Sequence, residues 1–248
     1  MQKYDLIVGF GCSFMQGGGF ENLDIYKFLN NITDANVNIL PSDILNFRYK
    51  NNFIAYLSEL LNCEYLNLAE SSASNDLLFD KIYEHFNTTN ISDKKILVIT
   101  QLTLYTRQYI YYNHLKKFFK LNRTEFSEVP FNNSIEFKPL HTYYTNFLAF
   151  IYNENNTIKN LQKNIELYTI WLKNKNIDTI WFSYDGGNDK FIESDNFMKF
   201  DGLNMGRWCL ENKLRLIDMP NCPIPDLHLN PIGHKLIAEK IYNKIKNR

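Results

Sequence analysis

Asp5-Leu6-Ile7-Val8-Gly9-Phe10-Gly11-Cys12-Ser13-Phe14 is the stretch that decides how this chain is read. Asp5–Gly9 is a short, apolar, β-branched run of the kind that forms a buried parallel strand. Glycines and a cysteine follow it at once, so the chain must turn tightly at the strand's carboxyl end. A serine on such a turn is held out toward the crevice where open α/β sheets bind ligands. More than two hundred residues later, Asp226-Leu227-His228 stands directly before the last helical segment. A histidine there can fold back beside Ser13. A serine alone is a poor nucleophile; a neighbouring imidazole removes its proton, and a carboxylate orients the imidazole. The order Ser…Asp…His, with the last two almost adjacent, suggests a hydrolase architecture.

Working outward, the same kind of run recurs at Glu64–Leu68, Ile96–Gln101, Thr179–Ser183 and, more briefly, Arg215–Asp218. Helical periodicity fills the gaps. Tyr49–Leu61 carries Phe53, Leu57, Leu60 and Leu61 on one face, and Asn75–His85 carries Leu78 and Ile82. Ile158–Lys175 has a stripe of Leu161, Ile165, Tyr168 and Leu172. Pro231–Lys246 has Leu236, Ile237, Ile241 and Ile245, with proline at a favoured first-turn position. This alternation predicts one α/β domain over residues 1–248, with a five-stranded parallel sheet covered by helices on both faces. Residues 102–156, rich in Tyr, Phe and Asn, read as an insertion of helix and irregular loop over the crevice.

The composition narrows the class. At 248 residues, 45% hydrophobic and 22% charged, the chain suits one large domain with a substantial core. A net charge of zero argues against nucleic acid or an anionic membrane as a dominant partner. The first residues do not read as a signal peptide, and no apolar stretch approaches the roughly 20 residues that span a bilayer. The four cysteines lack CxxC spacing, so neither a disulfide framework nor a zinc site is expected. A cytoplasmic protein is expected, or one exported with a larger assembly. The 16 Tyr and 19 Phe accompany many Asn and Lys, as AT-rich coding bias produces, and do not by themselves mark a ligand surface.

Plainer readings stand beside the chemical ones. Ser13 can be a helix cap, and Gly9-x-Gly11 with Gly17-Gly18-Gly19 can be a nucleotide-binding loop. That loop, however, lacks both GxGxxG and the Gly-Lys-Ser/Thr of a P-loop. Asp226 and His228 can be loop residues before a helix capped by Asn230. His85, His114 and His141 lack metal spacing. His234, on the first turns of the last helix, is expected to make a structural hydrogen bond. Arg107 reads as binding a carboxylate or orienting a loop. The Cys12 side chain is expected to point away from Ser13 into packing.

Taken together, these residues carry a resemblance. The chain resembles the SGNH hydrolases, the GDSL-like lipase and esterase superfamily. Gly11-Cys12-Ser13 is similar to the first block, Gly-Asp-Ser. Asn67-Leu68-Ala69 and the small-residue loop to Asp76 are similar to the second, and Asp226…His228-Leu229-Asn230-Pro231…Gly233-His234 to the last. The resemblance implies a flavodoxin-like three-layer α/β/α sandwich and a serine hydrolase mechanism without metal or cofactor. Ser13 is then the nucleophile, His228 the base and Asp226 the orienting acid. It also implies an oxyanion hole of the serine amide, a second-block amide and a third-block asparagine. Ser72 stands at the second position. The third block here reads Gln101-Leu102-Thr103-Leu104, so Thr103, Gln101 or Asn75 must substitute. Gly186-Gly187-Asn188-Asp189 spells the third-block motif but follows the fourth strand, where a plain turn is the simpler reading.

The departures are specific. Cys12 replaces aspartate, and one residue instead of two separates Asp226 from His228, which leaves Asp218 as a fallback acid. The expected reaction is hydrolysis or transfer of an acyl group from a small ester or an O-acylated carbohydrate. The alternative is an inactive SGNH-like fold retained as a carbohydrate-binding or structural module.

Overall fold

The computed structural model describes residues 3–34, 37–89, 93–112, 117–121, 138–184 and 194–248. In chain order its elements are β1 (Leu6–Phe10), α1 (Ser13–Gln16), α2 (Leu23–Leu29), α3 (Pro41–Lys50), α4 (Phe53–Leu61), β2 (Glu64–Asn67) and α5 (Asn75–Thr88). Next come β3 (Ile96–Leu102), β4 (Gln108–Tyr112), β5 (Lys117–Leu121), α6 (Lys138–Asn146), a π-helical turn (Phe147–Ile151) and α7 (Glu154–Asn174). The chain closes with β6 (Ile177–Ser183), α8 (Met205–Glu211), a 3₁₀ turn (Leu216–Asp218) and α9 (Pro231–Lys246).

Four of the five runs read as strands form one parallel sheet in the order β2-β1-β3-β6. Leu6 pairs with Glu64 on one side and Ile96 on the other, and Ile96 pairs in turn with Ile177. Alternate side chains leave opposite faces of a strand, so each face builds its own core. Ile7, Leu97, Ile99, Ile180 and Phe182 pack against α4, α8 and α9. Val8, Phe10, Ile96, Val98 and Trp181 pack against α5 and α7. The result is a three-layer α/β/α arrangement. From β1 the chain moves to one side of the sheet and returns to place β3 on the other. The gap beyond the carboxyl ends of β1 and β3 is therefore a topological switch point.

Three expectations are corrected. The sheet has four strands, not five. Arg215 makes one antiparallel bridge to Leu229, and Leu216–Asp218 then coils as a 3₁₀ turn. The reason is local: the Asp218 carboxylate folds back to accept from the Arg215 amide at 3.0 Å and from its guanidinium at 3.0 and 3.1 Å. The helix expected over Tyr49–Leu61 is two helices. Asn52 breaks it by capping α4, its Oδ1 accepting from the Ile54 and Ala55 amides at 3.0 and 3.1 Å. Within 102–156, β4 and β5 form an antiparallel pair outside the main sheet. Leu121, Leu140 and Tyr144 give this region a small core of its own.

Asn52 also donates from Nδ2 to the Tyr49 carbonyl at 2.6 Å and to the Arg48 carbonyl at 3.3 Å, and it is 1% exposed. One side chain thus ends α3 and starts α4, the helix that covers β1 and β2. Asn52→Ala removes a cap and leaves buried polar groups unpaired, at a cost of about 2–3 kcal/mol. Urea unfolding should show the midpoint falling with an unchanged slope.

Candidate active site

Ser13 stands at the switch point. Cys12 leaves β1 in an extended conformation and Ser13 opens the four-residue helix α1, which ends at Gly17 with φ 83°. The Gly18 amide donates to the Ser13 carbonyl at 2.6 Å and closes the turn. As the first helical residue, Ser13 has an amide with no acceptor inside its helix. Its hydroxyl lies 2.9 Å from His228 Nε2. The Cys12 side chain is buried and turns toward Gln101, with Sγ 3.7 Å from Oε1.

His228 reaches Ser13 because a backbone clasp holds its loop. The Leu216 amide donates to the His228 carbonyl and the Ile217 amide to the Asp226 carbonyl, each at 2.8 Å. The Asn230 amide donates to the Leu214 carbonyl at 2.9 Å, and Asn230 Nδ2 to the Arg215 carbonyl at 3.2 Å. Asn230 then caps α9 by accepting from the Gly233 amide at 2.8 Å. The segment expected as a fifth strand is thus one half of this clasp.

The short Asp-x-His spacing has a geometric consequence. Asp226 Oδ1 accepts from both the backbone amide and the Nδ1 of His228, each at 2.7 Å. Burial pushes the Asp226 carboxyl up, but the two hydrogen bonds from His228 and the charge of its ring outweigh it and leave the carboxyl below its ordinary range. An ionised carboxylate can only accept, so Nδ1 carries a proton toward Asp226; in the neutral ring Nε2 then presents its lone pair to Ser13. Asp218, the fallback acid, is engaged by Arg215 instead.

The glycine run supplies the room for this contact. A Cβ on Gly18 would stand 2.6 Å from His228 Cδ2, 2.7 Å from Nε2 and 2.9 Å from the Ser13 carbonyl oxygen. On Gly19, whose φ is 87°, it would stand 3.0 Å from Asp226 Oδ2. Gly18-Gly19 therefore forms a bare backbone wall behind the His228–Asp226 pair, while Gly17 faces Arg48. In the sequence these glycines read as a candidate phosphate loop; three consecutive glycines soon after a serine turn are the signal of such close approach.

The second loop is tied to the Ser13 turn. Asn67 Nδ2 donates to the Met15 carbonyl at 3.0 Å, and the Glu70 amide to the Gly11 carbonyl at 2.9 Å. Ser72 sits in the left-handed region at φ 58°. Asn75 and Thr103 hold each other: Thr103 N donates to Asn75 Oδ1 at 2.9 Å, and Asn75 Nδ2 donates to the Thr103 carbonyl at 3.2 Å. The Thr103 amide is thereby engaged, while Asn75 keeps a second amide hydrogen. Arg107 spans the two loops, donating to Thr103 Oγ1 at 2.6 Å and to the Ala73 carbonyl at 3.4 Å. His85 packs against Phe10 and Phe86. Gly186–Asp189, His114 and the side chain of His141 lie outside the described residues. Among the described residues no three His, Cys, Asp or Glu side chains group as a metal site, and no helix is long and apolar enough to cross a membrane.

His234 departs from expectation. Its ring is fully buried, and neither nitrogen has a hydrogen-bond partner among the described residues. The first turn of α9 aims it inward, between Phe20 (centroids 5.3 Å apart) and Phe53 (5.9 Å), where nothing polar is within reach. Burial, reinforced by the charge of His228, lowers its pKa to about 3.

The site is thus a Ser–His–Asp hydrogen-bonded chain at the switch point of a parallel α/β sheet. No family model matches the chain, and no curated protein matches it. Among solved structures it is similar to a G-D-S-L family protein from Desulfitobacterium hafniense DCB-2, at 15% identity and TM-score 0.32, over 96% of this chain and 98% of that one. It is also similar to a member of the lipolytic protein G-D-S-L family from Veillonella parvula DSM 2008, at 12% and 0.33, over 96% of each. A third is a GDSL-like protein from Parabacteroides merdae ATCC 43184, at 11% and 0.37, over 100% of this chain and 98% of that one.

Two outcomes follow from the geometry. Gly18→Ala pushes a methyl into the His228 edge, and an ångström of displacement at reacting groups costs about 100-fold in rate. The rate at which a fluorophosphonate modifies Ser13 should fall by that order. For His234, the unfolded chain binds a proton at the ordinary value of 6.5 and the folded chain only at about 3. The unfolded state therefore holds more protons in that window, and stability falls as pH drops below 6.5, by up to about 1.4 kcal/mol per pH unit. In urea unfolding at several pH values, His234→Phe should lose this component, so the variant gains on the natural chain as pH falls.

Proposed function

We propose that this chain is a serine hydrolase of the SGNH, or GDSL-like, kind that cleaves acyl esters. The observation that carries the reading is the continuous hydrogen-bonded chain Ser13 Oγ, His228 Nε2, His228 Nδ1 and Asp226 Oδ1, with links of 2.9 and 2.7 Å. A general base must stand within hydrogen-bond reach of the proton it takes, and His228 does. In the proposed reaction Ser13 Oγ attacks the acyl carbonyl as its proton passes to His228 Nε2. Asp226 holds the resulting imidazolium. The tetrahedral intermediate collapses, His228 returns the proton to the leaving alcohol, and an acyl-serine remains. Water, activated by the same imidazole, attacks the acyl-serine and releases the acid.

The oxyanion is assigned to the amides of Ser13 and Ser72 and to the second amide hydrogen of Asn75. Donors aimed at the developing charge each contribute on the order of 3 kcal/mol. Thr103, engaged by Asn75 through its backbone, acts by holding that side chain. A cavity of about 200 Å³ opens beside Asn75, lined by Arg107, Gln108, Asn160, Asn164 and Tyr105 among others. Its amides and aromatic ring suit a hydroxyl-bearing alcohol portion, which supports a short acyl ester of a carbohydrate as substrate.

Labelling with a fluorophosphonate tests the reading. The natural chain should take one label at Ser13, and Ser13→Ala and His228→Ala should both abolish it. Acetyl-sugar esters and short-chain esters are then the substrates to try. A folded protein that takes no label at any pH between 6 and 9 would overturn the hydrolase and leave a binding module.

A further inference from the structure

One contact of His228 has no part in the Ser–His–Asp chain. The Phe14 ring lies 4.7 Å from the imidazole, centroid to centroid, inclined at 41°. Behind Phe14 lies Tyr184, stacked at 3.7 Å and 26°. Phe14 immediately follows the nucleophile, and Tyr184 immediately follows β6, so the rings join the two loops that flank the crevice. Both are anchored by backbone. The Tyr184 amide donates to the Leu102 carbonyl at 3.0 Å, and the Gly206 amide donates to the Tyr184 carbonyl at 2.8 Å. Gly206 is bare for a reason: a Cβ there would stand 2.5 Å from the Tyr184 carbonyl oxygen and 3.2 Å from its ring.

The chemistry of the proposed reaction gives this stack a role. His228 is neutral before attack and cationic once it has taken the serine proton. A cation within about 6 Å of an aromatic centroid is attracted by the ring's quadrupole, and a neutral imidazole much less. The contact is therefore stronger in the charged state, which is the condition for an interaction to speed the chemical step. We propose that Phe14 and Tyr184 are positioning residues: Tyr184 holds Phe14 against His228, and Phe14 fixes the imidazole and stabilises it as it becomes charged. This rests on the hydrolase reading for its rate effect. The preference for the charged ring belongs to the protein itself.

Other titratable and charged groups also face the ring. Asp226 on its own loop favours the cation, while the buried His234 of α9, its pKa lowered to about 3, is neutral in the range where His228 acts. Ser13 on α1 is its hydrogen-bond partner. Arg215, which interacts with Tyr184, is paired with Asp218. Neither aromatic substitution removes any of these charges.

The experiment measures kcat and KM against pH with p-nitrophenyl acetate, and follows the His228 ring titration by NMR. The variants are Phe14→Leu, Tyr184→Leu, Phe14→Tyr and Tyr184→Phe. Phe14→Leu should lower kcat by about 3- to 30-fold with little change in KM. The acid limb of the profile and the NMR midpoint should both move to lower pH, because the cation has lost its support. Tyr184→Leu, at a partly exposed site, should do the same to a smaller degree, and the two aromatic replacements should recover at least half of the lost rate. Unmoved midpoints in both leucine variants would overturn the proposal, as would a loss in Phe14→Tyr as large as in Phe14→Leu. If the protein takes no fluorophosphonate label but the NMR midpoint still moves, the hydrolase reading fails and the aromatic stabilisation stands.

Discussion

The site depends on a short backbone clasp. Leu214–Ile217 and Asp226–Asn230 are joined by three main-chain hydrogen bonds of 2.8–2.9 Å. Without them the His228 loop would be a free connection, and the entropy of placing an imidazole beside a serine 215 residues away would fall on one side-chain contact. With them the loop is as fixed as the helix it leads into. Asn230 joins both ends, donating to Arg215 and capping α9. The other partner is fixed just as firmly, because Ser13 sits on a turn closed by Gly18 and braced by Asn67 through Met15. Two rigid pieces meet, and little freedom remains to be lost in holding Ser13 beside His228.

Close approach needs room as well as rigidity. Gly18 and Gly19 leave bare backbone where any side chain would strike His228 or Asp226. Gly11, behind Ser13, does the same toward Gln101, whose Cβ would lie 3.0 Å from an added methyl. The absence of side chains is thus as much a part of the site as the three hydrogen-bonded groups Ser13, His228 and Asp226. The buried His234 sits one layer below. Its unpartnered ring nitrogens are a cost to stability that a phenylalanine would avoid.

What was legible in the sequence was whatever depends on local pattern. The apolar, β-branched runs are β1, β3 and β6, because burial on both faces demands that composition, while β2 at the sheet edge is only partly buried. The last helix begins at Pro231, where the proline and the Asn230 cap mark its start. The apolar periodicity over Tyr49–Leu61 runs straight across Asn52, and only the capping bonds show the break between two helices. Arg215–Asp218 has strand composition, yet the Asp218 carboxylate curls it into a turn. Composition does not register that competition.

The sequence by itself determined the class of fold, the serine on its turn and the histidine before its helix, because each follows from interactions within a few residues. The tertiary structure decided the rest. It decided that Asp226 and not Asp218 faces His228, since the shortened spacing lets one oxygen accept from both the amide and the ring of the same residue. From packing come Gly18 and Gly19 as a wall behind His228 and Asp226, the pairing of Asn75 with Thr103, and Phe14 against the imidazole. These are contacts between segments far apart in the chain, fixed by how the layers pack, and no local pattern encodes them.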